Sequence, residues 1–247
     1  MKFLLLILMF NVSTLLAAEV EGKINIMTEV YPPYNMQVDG KLKGISVEIL
    51  DVMLERMELD QNSSDVILTN WSRAYSMALK KKDYMVFSTT RTTKRENLFK
   101  WVGPIVETKI GILAPKSKHI TLRSLTDLKQ YRVGAVLKDI GEQLILEGGV
   151  DKKHIHSISG QNAIELSFKK MDNNRIDMFA YDFVVAKYQA KLKGYNVDDY
   201  EEIYTLKEAE LYYAFNKTTS DKTIAKWQNA LDTIKDDGTY NKILAKY

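Results

Sequence analysis

Short β-branched runs alternate along this chain with longer stretches whose apolar residues recur at helical spacing. Lys23 to Thr28 alternates like a half-buried strand, and Tyr31-Pro32-Pro33-Tyr34 reads as a stiff loop because two prolines supply no ladder donors. Asp39-Gly40 marks a turn. From Gly44 onward Ile45, Ile49, Val52 and Met53 share one helical face. A strand over Asp65 to Leu68 follows, then a helix over Trp71 to Lys80 with Ala74, Met77 and Ala78 inward, and a buried strand over Tyr84 to Phe87. This β-α-β-α-β order predicts a parallel sheet with helical crossovers.

The pattern then restarts. Strands are expected at Lys109 to Ala114, Tyr131 to Val136, His154 to Ile158, Ile176 to Ala180 and Leu211 to Phe215. Helices are expected at Ser124 to Leu128, Gly141 to Gly148, Asn162 to Met171, Phe183 to Lys191, Lys222 to Lys235 and Thr239 to Lys246. No Ser/Gly/Pro-rich tether separates the halves, so two α/β lobes joined by continuous strands fit the chain better than two domains on a linker. A length of 247 residues lets each lobe bury its own core.

Composition narrows the setting. Met1-Lys2, the apolar run Phe3 to Phe10 and the small residues ending at Ala18 form an export-signal pattern, with an uncleaved anchor as the competing reading. Cleavage near Ala18 would place the protein in the periplasm. With no cysteine, a disulfide framework, a thiolate metal site, a Cys nucleophile and a lipidated N-terminal Cys are all excluded. Loss of residues 1–18 leaves 34 basic against 32 acidic side chains, a charge of +2 spread along the chain. There is no basic stripe with interleaved aromatics of the kind nucleic acid requires, so no nucleic-acid partner is expected.

Enzyme signatures are absent: no G-x-S-x-G elbow, P-loop, G-x-G-x-x-G or H-E-x-x-H occurs. His154 and His156 would share a strand face, but two imidazoles with no clustered carboxylate make a poor metal site, so neither metal nor cofactor is expected. The informative stretch is Phe87-Ser88-Thr89-Thr90-Arg91-Thr92-Thr93-Lys94-Arg95-Glu96, running on to Trp101-Val102-Gly103-Pro104. It follows a buried strand and so lies at the carboxyl end of a parallel sheet, where ligands sit in open α/β folds. Its hydroxyls and a guanidinium suit an anion or carboxylate; the alternative is a solvated loop with ordinary surface arginines.

Several features in this order resemble the family 3 extracellular solute-binding proteins, the polar-amino-acid receptors of ABC importers. They are the Tyr31–Tyr34 loop, Asp39-Gly40 with Gly44 and Glu48, Trp71 with Leu79, Thr92-x-x-Arg95, Asn174-Arg175-Ile176-Asp177 with Asp182, and Asp237-Gly238-Thr239-Tyr240. The resemblance implies a two-lobed, type II periplasmic-binding-protein fold, each lobe a mostly parallel sheet flanked by helices, joined by a two-strand hinge. It implies lobe 1 over residues 19–108, lobe 2 over 109–208 and a return to lobe 1 over 209–247. It implies a monomer that carries a small amino-acid-like ligand to a membrane ABC permease. By the same resemblance Arg95 clamps the ligand carboxylate with Thr90 and the Ser88 backbone, Asp182 accepts the ammonium, and Tyr31 and Trp71 sandwich the side chain. Gly141 would offer a backbone N–H to the carboxylate at a helix start, where Asp139 and Glu142 also read as a capping box. Asp182 also suits a helix N-cap before Phe183.

Two departures bear on the site. Leu137-Lys138-Asp139-Ile140 stands where the family has a small Ser/Gly/Thr loop, and Arg91 stands where many relatives are apolar; strand alternation points Arg91 away from the cleft. A guanidinium on one lobe and a carboxylate on the other would let a zwitterion stabilise the closed state. The competing readings are a cyclohexadienyl dehydratase-like enzyme, with Glu29 or Glu210 as general acid, and a sensor docking on a membrane kinase.

Overall fold

A computed structural model describes residues 23–247 of the chain, so the export-signal pattern at 1–18 lies outside the described residues. The strands of the main sheet are β1 (Asn25–Thr28), β4 (Ile67–Leu68), β5 (Tyr84–Thr90), β6 (Phe99–Pro115), β7 (Val133–Val136), β8 (Ile155–Ile158), β9 (Met178–Asp182) and β10 (Tyr200–Asn216). A hairpin of β2 (Met36–Val38) and β3 (Lys41–Lys43) turns at Asp39-Gly40. The helices are α1 (Ile45–Arg56), α2 (Trp71–Lys80), α3 (Ile140–Glu147), α4 (Ala163–Asp172), α5 (Phe183–Leu192), α6 (Asp221–Asp236) and α7 (Thr239–Leu244).

The sheet order is β4-β1-β5-β10-β6-β9-β7-β8. At one end β4, β1 and β5 run parallel, and at the other β9, β7 and β8 do. The long strands β6 and β10 are antiparallel to each other over their full length and connect the two ends. The carboxyl half of β10 pairs with β5, while the carboxyl half of β6 pairs with β9. Each long strand therefore starts in one lobe and finishes in the other. This is the two-lobed α/β architecture with a two-strand hinge. The expected lobe limits at 108/109 and 208/209 fall inside β6 and β10.

Sequence chemistry explains most boundaries. Asn70, Asp182 and Ser220 cap α2, α5 and α6 by accepting from Arg73, Val185 and Thr223 backbone N–H groups at 3.0–3.1 Å. Gly44, at φ 122°, opens α1 where a Cβ would sit 2.4 Å from the Tyr34 carbonyl. Alternation along the second-lobe strands splits the core. Val133, Ala135, Met178 and Ala180 face one apolar cluster, while Val136, Phe179 and Tyr181 join a larger one. That larger cluster continues through Tyr31, Tyr34 and Trp71 into the first lobe.

The structure departs from the sequence reading in four places. β6 and β10 each run 17 residues, well beyond the expected Lys109–Ala114 and Leu211–Phe215. Asp65 belongs to a short 3-10 turn capped by Asn62, leaving only Ile67–Leu68 as strand. The helix expected at Ser124 to Leu128 is a 3-10 turn over Leu125–Gln130. Finally, β9 extends to Asp182, so that residue both ends a strand and caps a helix.

Candidate functional site

Arg95 is delivered by the turn that follows β5. The Thr92 carbonyl and Oγ1 both accept from the Arg95 N–H, at 3.0 and 3.2 Å, which folds Thr92-x-x-Arg95 back on itself. The side chain is thereby turned inward and is only 2% exposed. Nη1 donates to the Thr90 carbonyl at 3.2 Å and Nη2 to the Lys138 carbonyl of the opposite lobe at 3.1 Å. The guanidinium carbon lies 5.6 Å from the Trp71 ring centre and 5.1 Å from that of Tyr75. Among the described residues Nε has no partner. Burial pulls the guanidinium below its ordinary pKa, opposed by Tyr75 and Asp139. Two neutral carbonyls under-compensate a buried cation, so this group is set to receive an anion.

Asp182 sits across the cleft, fully buried. Its Oδ1 accepts from the Val185 N–H at 3.0 Å and its Oδ2 from the Tyr31 hydroxyl at 3.1 Å; Thr108 of β6 donates a further short bond to Oδ2. Burial raises the Asp182 pKa, and these three donors restrain the rise. Tyr31 comes from the first lobe, so this bond spans the cleft. Tyr31 packs edge-on against Tyr181 at 5.7 Å and tilted against Tyr34 at 5.6 Å. The loop that carries it is anchored by Asn35, whose amide donates to Thr28 Oγ1 at 2.8 Å and to the Glu29 carbonyl at 3.0 Å.

Three further residues, Asp139, Glu29 and Tyr181, complete this region. Asp139 caps α3 and is 4% exposed; burial lifts its pKa to about 6, against the pull of Arg95 and the Ile140 and Gly141 N–H groups. Glu29 directly follows β1, its pKa raised well above its ordinary value by burial and by Asp139, against the Trp71 N–H. Tyr181, at 2% exposure, has a hydroxyl with no partner among the described residues. Burial raises its pKa too, as do Glu29, Asp139 and Asp182. Asp139 was legible only as a helix cap; its position in a loop that departs from the family pattern was the available signal.

The other expected site residues have defined places. Trp71 does not stack on Tyr31: its ring pairs with Tyr75 at 5.4 Å, and its Nε1 donates to the Lys138 carbonyl at 2.9 Å. The Ser88 hydroxyl is committed to Asn35 and to Ser46, the latter at 2.9 Å. Thr90 supplies its carbonyl to Arg95 and lies beside Leu211 of β10. Gly141 serves packing, since a Cβ there would sit 2.4 Å from the Ala180 carbonyl, and its N–H points to Asp139 Oδ2 at 3.4 Å. The expected capping box is altered: Glu142 returns to the Lys138 N–H at 2.6 Å, one residue before the cap, and takes a short bond from Ser157. Arg91 is turned away from the cleft core and forks onto Glu96, with Nε to Oε2 at 2.8 Å, beside Trp101 and Tyr212.

The lobes therefore meet in a closed arrangement. Besides the Arg95, Trp71 and Tyr31 bonds, Ser72 donates to the Leu137 carbonyl at 2.7 Å and Gln143 to Thr92 Oγ1 at 3.2 Å. Lys138, at φ 65°, adopts the left-handed conformation, and its carbonyl accepts from both Trp71 and Arg95. A cavity of about 320 Å³ opens on this region, lined from the first lobe by Glu29, Pro32 and Asn70 and from the second by Asn162, Tyr181 and Gln189. A larger cavity of about 710 Å³ lies on the hinge strands between Tyr34, Arg91, Lys207 and Glu210, and neither cavity is lined by Arg95 or Asp182. No group of three or more His, Asp or Glu among the described residues is arranged to hold a metal.

Comparison with known proteins identifies the family and the fold. The family profile of the bacterial extracellular solute-binding proteins, family 3, matches residues 24–247. A probable histidine-binding protein of Campylobacter jejuni is 23% identical over 88% of this chain and 81% of its own length. ABC transporter arginine-binding protein 1 of Escherichia coli K12 is 24% identical over 92% of this chain and 90% of its own. The arginine-, lysine-, histidine-binding protein ArtJ of Geobacillus stearothermophilus superposes with a TM-score of 0.75 at 19% identity, covering 92% of this chain and 95% of that one.

Proposed function

This chain belongs to the family 3 bacterial extracellular solute-binding proteins, and from that premise we propose that it captures an amino-acid-like zwitterion between its lobes and delivers it to an ABC importer. In this reading the protein works in the periplasm, as a monomer, after loss of residues 1–18. Arg95 receives the ligand carboxylate, for which its buried, unpartnered Nε and its under-compensated charge are suited. The ligand ammonium is received by the acids of the facing lobe, Asp182 and Asp139. Thr90 and Ser88 act as scaffold for the Arg95 side, Tyr31 as a wall tied to Asp182, and Trp71 as the ring on which the guanidinium rests.

The observation that carries this reading is the pairing of opposite charges on opposite lobes within one closed cleft. Because Arg95 and Asp139 come from different lobes, a ligand that touches both stabilises the closed form over the open one. That difference in shape is what a membrane partner can read. The relatives named above are binding proteins of amino acids, two of them for arginine, which favours uptake over catalysis. Of the acids considered for an enzyme, Glu210 lies on the hinge, bonded to the Tyr212 hydroxyl at 2.8 Å, and lines a cavity that Arg95 does not. A thermal-shift screen of the twenty amino acids tests the proposal: at least one should raise the melting temperature in a concentration-dependent way. A flat response to all of them, together with turnover of prephenate, would replace it with the enzyme reading.

A further inference from the structure

We propose a second binding site, for a phosphate-class oxyanion, in the groove where α2 of the first lobe faces the loops after β7 and β8 of the second. The groove holds about 490 Å³ and is walled by Arg73, Ser76, Lys80 and Lys81 on one side and by Leu137 and Ser159 on the other. Arg73, Ser76 and Lys80 recur at helical spacing, so α2 turns one face to it. Lys138 reaches across from the second lobe, its Nζ donating to Ser76 Oγ at 3.0 Å. Four cations thus gather at this seam from both lobes, and no carboxylate lines the groove. It shares only Asn70 and Gly160 with the cavity of about 320 Å³ in the main cleft.

Nothing in the fold answers those charges. The Arg73, Lys80 and Lys81 side chains have neither a hydrogen bond nor an ion pair among the described residues. Lys80 and Lys81 stand at the carboxyl end of α2, where the helix dipole favours a cation and gives an ordinary reason for them. Arg73 has no such reason. It lies in the first turn of α2, the end that disfavours positive charge, and it is exposed, so neither capping, pairing nor burial accounts for it. A guanidinium with its fork uncommitted, set beside hydroxyls, suits a phosphoryl-type oxyanion. Ser76 accepts from Lys138 and keeps its own O–H to give, and the Ser159 hydroxyl is uncommitted among the described residues. Closing the lobes brings like charges together, and a bound dianion turns that repulsion into attraction. Because the walls come from two lobes, the closed form holds the anion more tightly than the open one. By linkage the anion then tightens the grip on whatever closes the main cleft.

Titration calorimetry with sodium phosphate, at a fixed ionic strength of about 0.15 M set with sodium chloride, reads the site directly. One saturable site per chain is expected. Arg73→Gln and Lys138→Gln, one from each lobe, should each weaken it at least about tenfold, the loss of one charged hydrogen bond. Lys129→Gln, on an exposed turn of the second lobe, should leave it unchanged. Arg73 is exposed and unpaired, so R73Q should melt with the wild type. A phospholipid headgroup offers the same oxyanion, so sedimentation with phosphatidylglycerol vesicles, against phosphatidylcholine, forms the second arm. Pelleting that R73Q abolishes assigns the site to a headgroup; phosphate binding without pelleting assigns it to the free anion. No saturable heat and no pelleting, or binding that R73Q leaves intact, overturns the proposal. A loss confined to R73Q, with K138Q unaffected, overturns the bridging of the lobes. No readout here requires an amino acid to bind, so failure of this site and failure of the main-cleft reading are separate results.

Discussion

Replacing Asp139 by Asn isolates the physics of the cleft in one atom. Asp139 is nearly fully buried, and its pKa is lifted from 3.8 to about 6. Unfolded, it titrates at its ordinary value, so between roughly pH 4 and 6 the native state holds a proton that the unfolded state has lost. Stability therefore falls as pH rises through this window, and above it the full cost of the buried charge is present. About two pH units correspond to about 3 kcal/mol as an upper bound. For a chain of this size that is about 6–12 °C in Tm. Asn keeps the cap acceptor for the Gly141 N–H and removes the charge. D139N should thus melt higher than the wild type at pH 7.5, converge with it only below about pH 4, and show a flatter Tm–pH profile between pH 4 and 7.5. Differential scanning calorimetry across that range reads both curves. The ligand-induced rise in Tm should shrink in the same variant, because Asp139 is one of the two acids given to the ammonium. A variant that melts at or below the wild type at pH 7.5 would refute the reasoning: the Arg95 charge would then outweigh the burial cost of the carboxylate.

Arg95→Ala removes the only buried cation among the described residues. It should cost binding about 2–5 kcal/mol, taking a micromolar ligand towards millimolar, with loss of the ligand-induced thermal shift as the readout. Gly44→Ala would drive a Cβ into the Tyr34 and Pro33 carbonyls at a φ that L-residues avoid. A loss of about 2–5 kcal/mol is expected from strain and overpacking combined, read as a lower urea midpoint. Intact-mass spectrometry of the exported protein should give an N-terminus at Glu19; a chain that retains Met1 would favour the anchor.

Fold class was legible because the two lobes repeat an amphipathic βα rhythm that a period of 2 or 3.6 exposes. The hinge was not. Its residues Glu107-Thr108-Lys109 and Glu208-Ala209-Glu210 pair with each other across β6 and β10, and of these only Thr108 is buried. They therefore carry no hydrophobic alternation, and the 17-residue strands read from sequence as two shorter ones. The site shows the same contrast. Arg95 and Asp182 were legible through the family-like Thr92-x-x-Arg95 and Asn174-to-Asp182 patterns, whereas the turn that aims Arg95 and the strand end at Asp182 appear only in the structure. Glu29 and Tyr181 lie in runs whose pattern says only strand and core. Nothing local distinguishes a Tyr with a satisfied hydroxyl from one without, and only the meeting of β1, β7 and β9 ends reveals it. Trp71 shows a related ambiguity: an aromatic at a helix start can face a ligand or support the cation that does, and sequence spacing is the same for both.

The register of the long strands has a mechanical corollary. Ile110 of β6 lies beside Asp182, and Thr108 is bonded to it, so this acid is fastened almost at the fulcrum. The loop bearing Lys138 follows β7, one strand beyond that of Asp182 and two from the hinge strand β6, about 10 Å from the hinge at ordinary strand spacing. For a given angle of gaping, displacement grows with distance from the pivot. The clasp of Arg95, Trp71 and Ser72 on that outer loop must let go first, while Tyr31 and Asp182 part last. The jaw is thus latched at its rim and merely steadied at its root.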